Sequence, residues 1–81
     1  MNADKLRDCF SRALGIPRER ATDELAYNSI KEWDSVAHMA LVVELESEFD
    51  VMLDTDDILA MSSVGKAREI LARLGVGFDA A

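Results

Sequence analysis

Apolar residues recur every three or four positions at Leu6, Cys9, Phe10, Ala13 and Leu14, which predicts an amphipathic helix from about Asn2 to Leu14. Gly15 and Pro17 close it, the glycine as a left-handed cap and the proline because it cannot continue the hydrogen-bond ladder. Residues 16–33 show no clear period. Ile16, Leu25, Tyr27, Ile30 and Trp33 are expected to pin this long connection to the core. A second helix is predicted over Ser35 to Phe49, with Asp34 as its N-cap. Trp33 and His38 then stand at the two ends of a hydrophobic staple. Asp54 to Met61 reads as a short third helix, with Asp54 and Asp57 at capping-box spacing. Ser62 or Ser63 caps a fourth, whose apolar face holds Val64, Ala67, Ile70, Leu71 and Leu74, and Gly75 stops it. No segment alternates as a strand does. The expected fold is therefore all-α, a small four-helix bundle with three longer helices and a short third one. It forms a single domain over residues 1–76, and residues 77–81 are expected to fray.

The second helix has more apolar positions than one core-facing stripe can use. Wound at about 100° per residue, Leu41, Val42, Leu45 and Phe49 share one side, with His38 at its top. Val36, Met39, Val43 and, more loosely, Ala40 share another side next to Ser35, flanked by Glu44 and Glu46. An amphipathic helix needs only one apolar stripe. The second stripe is either a further buried face or an exposed strip with a charged rim, the anatomy of a transient protein–protein interface. We read it as the interface, with Val36, Met39 and Val43 giving up water on contact and the acids guiding basic partners.

Charge sharpens that picture because it is local. The chain of 81 residues carries −7, yet no Lys or Arg stands between Lys31 and Lys66, where nine carboxylates do. The remainder is therefore +2. Such acidity argues against nucleic acid as a partner and suits basic patches on other proteins. The uncharged run Val36 to Val43 is too short to span a bilayer, so no membrane insertion is expected. Met1 to Lys5 lacks the apolar core of a signal peptide, so a cytoplasmic protein is expected, and a monomer. The one cysteine, Cys9, falls on the apolar side of the first helix and is expected to be a buried thiol.

Candidate chemistry is sparse. Ser35 and His38 have the i, i+3 spacing of a nucleophile and its base, but the chain has no second histidine and no glycine-rich oxyanion loop. No catalytic residue is assigned. A calcium loop starting at Asp54 would need an oxygen ligand, Gly and Glu where Ile58, Leu59 and Gly65 stand. With one His and one Cys, zinc is excluded too, and no metal site is expected. Ser35 itself lies where free N–H groups and the helix dipole favour an anion, so a phosphodiester on its oxygen is tolerated there. By itself it could equally be a simple N-cap.

Glu32-Trp33-Asp34-Ser35-Val36 followed by Leu41 to Asp50, with its Glu-x-Glu-Phe ending, resembles the central segment of acyl carrier proteins. Met61-Ser62-Ser63-Val64 is similar to that family's entry into its last helix, and the likeness runs from the first helix to about Leu74. The resemblance implies a carrier rather than a catalyst. A phosphopantetheinyl transferase would move 4′-phosphopantetheine from coenzyme A to Ser35, and the arm's thiol would hold an acyl or aminoacyl group as a thioester. It also implies partner contacts at Asp34, Val36, Met39, Val43 and Glu46, to which Glu44 is added as a flank of the same strip, and partners that are an acyl- or aminoacyl-loading ligase and a downstream transferase or synthase. Ala37, Ala40 and Ser47 depart from the acids that housekeeping fatty-acid carriers have there, which points to a specialised stand-alone carrier. The rival reading is a helical adaptor that uses the same strip without a prosthetic group.

Overall fold

A computed structural model of the chain describes residues 2–78. Helix α1 spans Asn2–Leu14, α2 Ser35–Phe49, α3 Thr55–Ala60 and α4 Val64–Arg73, with a 3-10 turn at Arg18–Arg20 in the long connection. The architecture is all-helical, as the apolar spacing predicts, and among the described residues β structure is limited to an isolated bridge between Ala26 and Ser63. Among the described residues no helix is long and apolar enough to cross a membrane.

Each helix end has a local cause. Gly15 takes φ 67° after α1, and its N–H and that of Ile16 both reach the Ser11 carbonyl, closing the left-handed cap that glycine makes cheap. Asp34 caps α2 and Ser63 caps α4, each accepting a hydrogen bond from a first-turn N–H. Asp54 caps α3 through the Asp57 N–H at 2.8 Å, but the box is not reciprocal, because the Asp57 carboxylate turns to Arg73. Asp50 ends α2 in the left-handed conformation at φ 53°, a place the sequence offered no glycine to announce.

The core lies where α1, α2 and α4 meet, around Leu6, Phe10, Leu41, Leu45, Ile70 and Leu71, all buried. Trp33 joins it from the connection and meets Phe10 edge-on at 5.2 Å. The connection is also laced to the start of α4. Val64 N–H donates to Leu25 O, Gly65 N–H to Asp23 O and Tyr27 N–H to Ser62 O. A Cβ at Gly65 would come within 3.3 Å of Asp23 O, so the crossing needs a small residue there. This satisfies backbone groups that a long loop would otherwise leave to water.

The expected frayed tail, residues 77–81, falls only partly within the described residues. Gly77 O accepts a hydrogen bond from Asn2 at 2.7 Å, and Phe78 packs on Phe49 with ring centroids 6.0 Å apart. An apolar ring beside the α2 end gains more from contact than from water, so the chain keeps to the core through Phe78. Residues 79–81 lie outside the described residues.

Cys9 is fully buried on the α1–α2 seam. Burial pushes its thiol up to about 11, against the smaller pull of nearby Arg12. The unfolded thiol ionises near ~8.5, so this contribution to stability is complete below that pH and is lost as pH rises toward the folded value. Urea titrations should show stability falling above about pH 8.5, by up to ~1.4 kcal/mol per pH unit more than in Cys9→Ala. Iodoacetamide at pH 8 should leave the native thiol untouched and label it once in urea.

Candidate functional site

At the top of α2, Asp34 is extended at φ −106° and its carboxylate accepts the Ala37 N–H at 2.9 Å. The capping task therefore belongs to Asp34. Ser35, the first residue of the helix, is exposed, and its hydroxyl is uncommitted among the described residues. This removes the reading of Ser35 as a mere N-cap. Its oxygen stands in solvent at the positive end of a 15-residue helix.

Ser35 is held by what lies beneath it. The Trp33 indole N–H donates to His38 Nδ1 at 2.9 Å, and His38 Nε2 lies 2.9 Å from Ile58 O on α3. Because Nδ1 accepts, the neutral ring carries its proton on Nε2 and donates it to Ile58 O. The Trp33 and His38 rings stack at 22°, as the staple positions predict, and Tyr27 meets His38 edge-on at 5.2 Å. Both ring nitrogens are engaged, so His38 has none to offer Ser35 as a base.

Between α2 and α3 a cleft of about 320 Å³ opens at Ser35, walled by Tyr27, His38, Met39, Ile58, Leu59 and Met61. No charged residue lines it. The sequence marked Ser35 and Met39 but not Tyr27, Ile58, Leu59 or Met61. A signal for one of them exists. Ile58 and Leu59 are adjacent on a helix of six residues, about 100° apart, so they cannot both face the core, and Leu59 is 77% exposed.

The second stripe of α2 is a surface. Val36 is 81% exposed, Met39 51% and Val43 63%, while Leu41, Val42 and Leu45 are buried. Ala40 and Ser47 are exposed on the same side. The rim acids also have contacts within the fold. Glu44 pairs with Arg12 of α1 at 3.1 Å, and Glu48 joins the same guanidinium at 3.3 Å. Glu46 accepts the Leu53 N–H at 2.9 Å and so braces the turn into α3. Glu44 and Glu46 thus also serve the fold, because an arginine and a loop N–H lie within their reach. In the Asp54 to Asp57 cluster, Asp54 is likewise spent on capping and Asp57 on Arg73, while Asp56 is exposed. Among the described residues no group of three or more potential ligands could hold a metal.

A family model described as "Phosphopantetheine attachment site" matches residues 4–71. The chain belongs to that family. It is 29% identical over 68 residues to an acyl carrier protein of Lactobacillus johnsonii, a match that covers 84% of this chain and 85% of the relative. The phosphopantetheine family membership makes this a carrier protein of the acyl-carrier type, in agreement with the resemblance read from the Asp34-Ser35-Val36 segment.

The buried Trp33–His38–Ile58 chain is tested by His38→Ala. It strands a buried indole N–H and leaves a void below Ser35, and should cost roughly 2–4 kcal/mol in urea denaturation. A loss under ~1 kcal/mol would mean that the two bonds do not hold α3 to α2.

Proposed function

We propose that Ser35 carries the 4′-phosphopantetheine arm and that the protein shuttles acyl thioesters between a loading enzyme and a downstream transferase or synthase. The observation that carries this reading is the uncommitted Ser35 hydroxyl at the exposed head of α2, opening directly on an uncharged cleft. The residues suit the group. Free first-turn N–H groups and the helix dipole favour the phosphodiester, and the apolar walls suit the arm and the start of its cargo. When bound, the group supplies a thiol for thioester exchange. The chain itself supplies attachment, orientation and recognition.

The lining also bears on the cargo. An aminoacyl group would bring an ammonium to a cleft whose walls hold no carboxylate, and a charge without a partner is costly to desolvate. An acyl chain has no such cost. Ala37, Ala40 and Ser47 leave the helix short of acids, which supports a dedicated carrier with its own loading enzyme.

Two measurements test this. Incubation with coenzyme A, magnesium and a broad-specificity phosphopantetheinyl transferase should add one phosphopantetheine by intact mass, and none to Ser35→Ala. A folded protein that stays unmodified would favour the adaptor reading. Transfer from hexanoyl-coenzyme A and from glycyl-coenzyme A then compares cargo. The hexanoyl form should melt higher than the unacylated holo form by on the order of 5–10 °C, if about two methylenes enter the cleft. The glycyl form should not shift. Equal shifts would remove the preference for an acyl chain.

A further inference from the structure

The arc of α2 that faces solvent beside Ser35 holds Val36, Met39, Ala40, Val43 and Ser47, and not one of them is charged. The three carboxylates of the helix lie off this arc and are occupied: Glu44 and Glu48 by Arg12, and Glu46 by the Leu53 N–H. Asp34 is occupied by the Ala37 N–H. A chain at −7 therefore shows its partners an uncharged ridge on its longest helix. Two exposed carboxylates outside these bonds adjoin α2: Asp50 at its C-cap, at the far end from Ser35, and one on α3 beside the cleft. Asp56 is exposed, takes part in no salt bridge among the described residues, and lies three positions before Leu59 at the cleft mouth, hence on the same helix face.

Complementarity then dictates the partner. A lysine or arginine pressed against the α2 arc would lose its water and find no acid in return, a penalty that works against enzymes with basic docking patches. An apolar surface would instead cover Val36, Met39 and Val43. Resting on the carrier reading of Ser35, we infer that the enzymes serving this protein meet α2 with an apolar surface free of unpaired Lys or Arg and place their cation opposite Asp56 of α3. Arg12 is a specificity residue in this arrangement. It sits off the docking face and draws Glu44 and Glu48 toward α1.

The probe is phosphopantetheine transfer from coenzyme A, followed by intact mass, with two transferases chosen for their own carrier-docking faces, one apolar and one basic. For the apolar-faced enzyme, the KM for wild-type protein should stay within about twofold as salt rises from about 0.1 to about 1 M, over which the screening length falls from about 10 to about 3 Å. It should rise about tenfold in Val43→Asp and in Met39→Ala, with unchanged helical circular dichroism. The basic-faced enzyme should have the higher KM, lowered about tenfold at low salt by Ala40→Glu combined with Ser47→Glu, and lowered to a lesser degree by Arg12→Ala. A wild-type KM that is lowest for the basic-faced enzyme and climbs steeply with salt would overturn the inference and leave the carrier reading intact. Failure of both enzymes to modify Ser35 in any folded variant would bring down the carrier reading, and this inference with it.

Discussion

A tryptophan and a histidine, both inside the protein, hold a single proton chain from the connection through α2 to α3: Trp33 N–H to His38 Nδ1, and His38 Nε2–H to Ile58 O. Such a buried polar chain is stabilising only when every member is satisfied, since each unpaired group in a low-dielectric setting costs far more than a paired one gains. Here every member is satisfied, and no buried side-chain nitrogen or oxygen among the described residues lacks a partner. The geometry has consequences in three directions. It sets the entry of the chain into α2, and so the place of Ser35. It fixes α3 at one distance from α2, and so the width of the cleft. It also removes His38 from acid–base chemistry by using both of its nitrogens.

Around that tie, α2 is packed as a helix with two kinds of customer. Leu41, Val42 and Leu45 belong to the core, and burial of each is worth on the order of 1.5–3 kcal/mol. Val36, Met39 and Val43 stay in water and contribute little to the fold. The acids on the helix follow the same division. Arg12 and the Leu53 N–H engage them from the sides, which ties α1 to α2 and braces the α2–α3 turn. Exposed ion pairs of this sort add little stability individually. Their larger effect is on where the negative potential of the protein is displayed.

For a carrier protein, this division matters because the cargo chemistry is carried out by visiting enzymes. On the proposed reading, Ser35 as anchor, the uncharged cleft beside it and the exposed apolar stripe of the same helix would give each visitor the same frame of reference. The buried Cys9 completes the arrangement. With its thiol shut away on the α1–α2 seam and pushed up in pKa, the native chain offers no competing thiolate to a thioester.

Much of this was legible along the chain. The bounds of α1 and α2, the Asp34 and Asp54 caps, the choice of Ser62 or Ser63 as the α4 cap, the stacked Trp33 and His38, the burial of Cys9 and the two apolar sides of α2 all follow from local spacing and capping chemistry, which act between residues a few positions apart. Membership of the phosphopantetheine family is also carried by contiguous motifs. The partners of Glu44 and Glu46 were not legible, because Arg12 is 32 residues from Glu44, and a Glu at a helix rim looks the same whether it meets a partner or a neighbouring helix. The cleft at Ser35 was equally hidden, since its walls come from the connection, α2 and α3. What the amino-acid order by itself determined is which segments become helices and which side chains avoid water. Only the tertiary structure decided which charges remain available to a partner and what space opens beside Ser35, because both depend on contacts between residues that packing, not sequence distance, brings together.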